Sequence, residues 1–366
     1  MNIDEFFYEI ENMNDCSTNI IEKIKSHNLP VVIFGASSYA KVTARALKKF
    51  GVKIFGYAVD SEYYNVISSD SLNGNAEVLN FADLSLEPEK YVFVIGMDDE
   101  CYDGDRTFNL IKDKNLNLYA IVGGAPLTKE YILNNKTKFF ETYSMLSDDW
   151  SKQTLIAYLK LCITHDPAHI YKFARKYQYF NELTKDILSD AQGSYVDCGT
   201  YRGDTIEKYI GVGGKYDKIF AIEADPQNFI ELEKFIRTKG YKNVLPLNCG
   251  AGDMNGVLYF NMQASKASSF SKSGIEVAVK KIDTLVGDEK IKFIKMDIEG
   301  SELSALKGAE LTIKRDKPAL AICVYHKAED LITIPQFIKS LHEDYKFYLV
   351  PHSLISSTEF VLYAFS

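Results

Sequence analysis

The chain has 366 residues, enough for two domains with a core each. Its 46% hydrophobic and 25% charged residues are an ordinary globular balance, which excludes a disordered chain. A formal charge of −8, offset by no basic run, argues against a nucleic-acid or anionic-membrane surface.

The N-terminal Met1-Asn-Ile-Asp-Glu-Phe-Phe7 lacks the basic segment and apolar core of a signal peptide. No apolar run approaches the roughly 20 residues of a membrane helix. Cys16, Cys101, Cys162, Cys198, Cys249 and Cys323 lie far apart without a Cys-x-x-Cys, which is neither a zinc framework nor a disulfide scaffold. Buried thiols and a cytoplasmic protein are expected.

Residues 1–28 predict an amphipathic helix, with Phe6, Phe7, Ile10, Ile20, Ile21 and Ile24 at helical spacing and Pro30 as its stop. Apolar strands follow at 31–35, 53–60, 91–96 and 118–122, with a helix from Lys41 to Phe50 capped by Gly51. Strands alternating with helices predict a parallel sheet, here a small Rossmann-like α/β domain over residues 1–130. Its turn, Gly35-Ala-Ser-Ser-Tyr-Ala40, keeps only the first glycine of a dinucleotide fingerprint. Ser37 adds a side chain where backbone must approach a pyrophosphate, which weakens the case for NAD. Ser37 and Ser38 hydroxyls could hold a sugar nucleotide; alternatively the domain serves packing or homo-oligomer formation.

Residues 131–190 show no strand pattern. Aromatics and leucines at helical intervals from Ser147 to Leu188, broken at Asp166-Pro167, predict a helical connector of two or three helices. From 191 to 366 a second α/β domain is expected. Its strands fall at 194–198, 218–223, 243–247, 257–262, 291–297, 319–325, 346–350 and 359–365. The 257–262 piece reads as one arm of an inserted hairpin, and the last two strands as an antiparallel edge on a parallel sheet. The fold class is α/β throughout.

The most informative stretch is Ser194-Tyr-Val-Asp-Cys-Gly-Thr-Tyr-Arg-Gly-Asp-Thr205, a strand ending in Asp197, a glycine turn and a helix start. Glu223 closes the next strand. This is the plan of a nucleotide-binding unit. A carboxylate at the head of the turn would repel a pyrophosphate but suits an ammonium group. S-adenosylmethionine carries that ammonium, a sulfonium, no phosphate, and a ribose whose hydroxyls Glu223 could accept.

Two further strand ends carry ionisable groups: Asp297, Glu299 and Glu302 after one, His326 after the next. Methyl transfer to a hydroxyl is an in-line attack on cationic sulfur, which requires alignment and loss of the hydroxyl proton. His326 could serve as base at neutral pH. Asp297 and Glu299 could instead hold a divalent cation that acidifies the hydroxyl. Against this, Asp297 could simply cap a helix from Ser301 to Lys314, with Glu299 and Glu302 favoured by its dipole.

The run Phe293-Ile-Lys-Met-Asp-Ile-Glu-Gly-Ser-Glu-Leu-Ser-Ala-Leu-Lys-Gly-Ala-Glu310 resembles the FkbM family of S-adenosylmethionine-dependent methyltransferases. Lys317 to Leu331, Ile334-Pro335, Val196 to Thr205 and Ala221 to Pro226 continue the resemblance, which covers about residues 178–366. It implies a class I methyltransferase fold and methylation of an oxygen on a sugar or polyketide-type product. It places Asp197, Gly199, Thr200, Gly203, Thr205 and Glu223 on the cofactor, Asn248 and Gly250 near its adenine, and Ser268 and Ser269 in the same region. The N-terminal domain is similar to small Rossmann-like domains that precede sugar-modifying acyltransferases in bacterial glycan pathways.

The expected activity is therefore O-methylation of a sugar, glycan precursor, sugar nucleotide or related polyhydroxylated metabolite. His326 is the expected base, with Asp297 and Glu299 orienting the hydroxyl. Two rival readings are a non-catalytic cofactor-binding protein that recruits a glycan-biosynthesis partner, and an NAD-dependent sugar oxidoreductase or epimerase working through the first domain.

Overall fold

The computed structural model describes residues 2–13, 15, 20–36, 38–64, 77–96, 116–119, 127–190, 192–261, 269–271, 275–353 and 357–366. They form two compact units that interleave in sequence. One takes residues 1–137, 153–176 and 351–359; the other takes 138–152, 177–350 and 360–366. Among the described residues no helix is long and apolar enough to cross a membrane.

The first unit is built on a five-stranded parallel sheet: β1 (Val31–Phe34), β2 (Ile54–Val59), β3 (Glu77–Asn80), β4 (Val92–Ile95) and β5 (Asn117–Tyr119), in the order β3-β2-β1-β4-β5. β1 and β4 are unbroken apolar runs because both faces are covered, as parallel sheets require. The helix Ser38–Lys49 lays Ala40, Ala44 and Leu47 against Val31, Ile33, Val92 and Val94. Gly96 permits this approach, since a Cβ there would lie 3.0 Å from the Ala40 Cα of the helix.

Two details depart from the sequence reading. The expected helix over 1–28 is two helices, Ile3–Asn12 and Ile20–Ser26, the first closed by an Asn2/Glu5 capping box and ended at extended Met13. β3 was not foreseen. Of the 118–122 strand only the part to Tyr119 lies within the described residues, and Ser37 and the side chain of Ser38 lie outside them.

The second unit carries β6 (Ser194–Cys198), β7 (Ile219–Glu223), β8 (Val244–Asn248), β9 (Gly250–Ala251), β10 (Gly256–Asn261), β11 (Ser269–Ser271), β12 (Ile275–Lys280), β13 (Ile291–Met296), β14 (Ala319–Cys323), β15 (Lys346–Pro351) and β16 (Phe360–Phe365). Seven of these make one sheet in the order β15-β16-β14-β13-β6-β7-β8. β8, β7, β6, β13 and β14 run parallel, whereas β16 pairs antiparallel with β14. The antiparallel strand thus lies one place in from the edge, with β15 outside it. β10 pairs antiparallel with β11 and β12, so the inserted hairpin is present within a separate four-stranded sheet, β11-β10-β12-β9.

The large sheet explains the position of the site. β6, β7, β13 and β14 are buried along their whole length and end together at their carboxyl ends, where open α/β sheets bind ligands. Tyr179, Phe180 and Leu188 join Tyr195, Tyr209 and Phe293 in the core beneath. The expected helix over 301–314 is two short ones, Glu302–Lys307 and Glu310–Asp316, separated at Gly308-Ala309.

Candidate active site

The turn after β6 is shaped by glycine and one buried ion pair. Gly199 has φ +76°, and a Cβ on it would lie 1.9 Å from the Asp297 carbonyl oxygen, so the turn lies directly on the end of β13. Gly203, at φ +96°, precedes the helix Asp204–Gly211. Asp197 is fully buried and stands opposite Lys295 in the β6–β13 ladder. Paired residues share a sheet face, so the Lys295 Nζ reaches Asp197 Oδ1 at 3.1 Å. The same ammonium donates to the Gly199 carbonyl at 2.7 Å and the Cys198 carbonyl at 3.3 Å. Burial alone would lower the Lys295 pKa, yet the Asp197 and Asp297 charges hold it above the ordinary lysine value. Thr205 donates its hydroxyl to Asp197 Oδ2, and Thr200 donates to the Asp197 carbonyl at 3.0 Å.

Glu223, at the end of β7, is 7% exposed. It accepts the backbone N–H of Tyr201 and of Asp225, each at 2.8 Å, which ties it to the glycine turn. Burial pushes its carboxyl up to about 7, against the pull of those N–H groups and of Lys295. Asn248, at the end of β8, donates to the Glu223 carbonyl at 3.0 Å. Asp197, Gly199, Thr200, Gly203, Thr205, Glu223 and Asn248 therefore form one connected neighbourhood. Gly250 departs from it: the chain turns at Cys249, and Gly250 starts β9, paired with Val279 of the small sheet. Ser268 and the side chain of Ser269 lie outside the described residues.

Next to this turn lies a cluster of acids around one imidazole. Asp297 Oδ2 accepts the Tyr179 hydroxyl at 3.0 Å and Oδ1 accepts the Tyr325 hydroxyl at 3.3 Å. The capping reading of Asp297 thus has no counterpart, since the helix Glu302–Lys307 starts at Ser301 without a side-chain cap. His326 Nδ1 lies 2.8 Å from Oε1 of fully buried Glu302, which also accepts the Ile298 N–H at 2.9 Å. His326 Nε2 faces Asp297 Oδ1 at 3.5 Å and Glu299 Oε2 at 3.6 Å.

Glu299 reaches this position through a left-handed turn, φ +54° at Glu299 and +91° at Gly300. A non-glycine residue there stores roughly 1–2 kcal/mol, the kind of strain that collects at functional sites. Burial would hold His326 neutral, but the hydrogen bond to Glu302 and the charges of Glu302, Asp297 and Glu299 raise it to about 9. The resting ring is therefore an imidazolium. Burial raises Glu299 to about 7. Burial would raise Asp297 as well, but the charges of Lys295 and His326 outweigh it and hold Asp297 below its usual value.

The expected trio Asp297, Glu299 and His326 is thus brought together. Lys295, Tyr179, Tyr325 and the orienting contact of Glu302 were missed. Lys295 sits inside a strand signal and Tyr179 lies 118 residues from its partner, so neither pairing leaves a local trace.

A parallel sheet with one reversed strand near its edge, a glycine turn headed by an acid, and ionisable groups at the next strand ends define the class I methyltransferase architecture. Residues 197–347 match the model of the methyltransferase FkbM domain. The crystal structure of methyltransferase FkbM from Methylobacillus flagellatus KT is 24% identical and superposes with a TM-score of 0.67, covering 99% of this chain and 98% of that one. The two chains share a fold. Among curated proteins, the uncharacterized protein C18.17c of Schizosaccharomyces pombe is 25% identical over 171 residues, which are 42% of this chain and 35% of that protein. The match spans about a third of that relative's length.

Proposed function

We propose that the second unit transfers a methyl group from S-adenosylmethionine to a hydroxyl of a sugar, glycan precursor or similar polyhydroxylated small molecule. The observation that carries this reading is the contact between the two halves of the site. The Gly199 turn lies against the Asp297 carbonyl, and Asp197 and Asp297 share the buried Lys295. A cofactor on the turn would thus present its sulfonium to the acid cluster.

The sulfonium methyl is already activated, so the protein has to align an oxygen behind it and remove a proton. Glu223 suits the cofactor's ribose hydroxyls, whereas Asp197, fully buried and paired with Lys295, shapes the turn instead of meeting the cofactor's ammonium directly. Asp297 and Glu299 suit an acceptor hydroxyl, which donates to a carboxylate and so presents a lone pair to the methyl carbon. His326, expected as the base, carries a proton at rest and in that state holds the two carboxylates in place. A polyhydroxylated acceptor fits donors and acceptors of this kind better than an apolar one.

Calorimetric titration of S-adenosylmethionine into the full chain tests the cofactor, with NAD in a parallel cell. Micromolar S-adenosylmethionine binding and no NAD response is the expected result. Radiolabelled methyl transfer to a panel of sugars and sugar nucleotides then tests the acceptor. Asp297→Asn should lower transfer at least 100-fold while cofactor affinity stays within threefold. No heat from S-adenosylmethionine at millimolar concentration would remove the reading.

A further inference from the structure

We propose that Asp297, Glu299 and His326 form a divalent-cation site beside the cofactor turn, with Glu302 as the group that orients the imidazole. The inference rests on the methyl-transfer reading for its use but not for its geometry. His326 Nε2 is buried, makes no hydrogen bond, and points between two carboxylate oxygens 3.5 and 3.6 Å away. Donors bound to one ion at about 2.1–2.2 Å lie roughly 3.0–3.6 Å from each other, and both Nε2–oxygen distances fall at the upper end of that range.

The other ring nitrogen supplies an independent argument. Metal-bound histidines usually give their second N–H to a carboxylate, which fixes both tautomer and ring orientation. Glu302 does this here at 2.8 Å, and the Ile298 N–H holds Glu302 in turn. Glu302 is fully buried, and its second oxygen has no hydrogen-bond partner in the structure. The ring therefore cannot rotate Nε2 away without leaving a buried carboxylate unpaired, which costs several kcal/mol.

A cation would displace the Nε2 proton of the resting imidazolium, and two carboxylate oxygens with one imidazole nitrogen suit Mn²⁺ or Mg²⁺ better than a soft ion. Glu299 and Asp297 retain 30% and 27% side-chain exposure, so the site has an open side from which an acceptor can enter. An acceptor hydroxyl binding there would become more acidic. Its proton would leave to the uncoordinated oxygen of Glu299 and from there to water. The resulting alkoxide forms the new O–CH3 bond as the S–CH3 bond breaks, with that bond's electron pair remaining on sulfur. S-adenosylhomocysteine and the methyl ether are the products.

The test is Mn²⁺ binding to EDTA-treated full chain, followed by electron paramagnetic resonance. One saturable ion per chain is expected, with ¹⁴N modulation from a single imidazole. Glu299→Gln should weaken Mn²⁺ at least tenfold, and His326→Gln should abolish the ¹⁴N signal. Thermal melts identify a variant that fails to fold. Glu299→Gln, on a partly exposed side chain, decides the matter if His326→Gln does not fold. Absence of saturable Mn²⁺, or equal binding in wild type and Glu299→Gln, overturns the proposal. The same EDTA-treated protein is titrated with S-adenosylmethionine, so cofactor binding without Mn²⁺ would remove the cation alone. Mn²⁺ binding without the cofactor would remove the methyl-transfer reading alone.

Discussion

On the proposed reading, Glu223 is the residue whose charge state matters most for the cofactor. Its carboxyl rises from 4.5 to about 7 because burial outweighs two backbone N–H bonds and the charge of Lys295, while Asp225 pushes in the same direction as burial. Below pH 4.5 folded and unfolded chains both carry the proton. Between 4.5 and about 7 the folded chain keeps it and the unfolded chain does not, so stability falls as pH rises through that window. The loss amounts to about 3 kcal/mol from this group. Ribose hydroxyls donate to the ionised form, so cofactor binding draws the proton off. The S-adenosylmethionine Kd is therefore expected to weaken about tenfold from pH 8 to pH 6, whereas Glu223→Gln should bind more weakly with a flat profile. Calorimetry at three pH values checks this, and a flat wild-type profile would contradict it.

At the scale of elements, the glycine turn and β13 depend on each other's shape. Gly199→Ala combines a left-handed backbone with a Cβ 1.9 Å from the Asp297 oxygen. The β6–β13 ladder would have to open at its carboxyl end. Gly213 is also left-handed, at φ +81°, but a Cβ there would meet nothing within 4 Å. Gly213→Ala should therefore cost only the roughly 1–2 kcal/mol of a left-handed alanine. Gly199→Ala should cost clearly more and abolish cofactor binding. Urea midpoints of the two variants settle the comparison, and equal shifts would dispose of the close-approach argument.

The elements also show what the sequence made visible. Apolar runs with an acid at or next to their carboxyl end marked β6, β7 and β13 with Asp197, Glu223 and Asp297; Asp197 is tolerated within buried β6 because Lys295 stands opposite it. β3 (Glu-Val-Leu-Asn) is short, with two polar residues, and gives no run to detect. Lys295 lies inside the β13 run, and nothing in the run itself marks it. Only the β6 register opposite it shows a buried cation shared by two acids. Glu302 read as a residue favoured by a helix dipole, because its partner His326 is 24 residues away on another strand end.

At the scale of the molecule, the second unit draws on more chain than its sheet strands. Residues 138–152 belong to it, and Leu146 forms a parallel bridge with Phe347 of β15. Ser147 and Ser151 hydroxyls accept the Phe347 and Leu349 N–H groups at 2.9 and 3.0 Å. Without this segment β15 would present an unpaired edge. Tyr179 and Phe180, also upstream of β6, are buried in the core, and Tyr179 supplies a hydrogen bond to Asp297. A fragment of residues 191–366 contains every strand of the large sheet yet loses all of these. Emptying two large aromatic sites alone costs about 3–5 kcal/mol each, comparable to the whole stability of a typical domain. Such a fragment is expected to show no cooperative thermal transition and no cofactor binding, in contrast to the full chain. A cooperative melt within a few degrees of the full chain would show that the upstream segments only decorate the sheet, and that Asp297 holds its position without Tyr179.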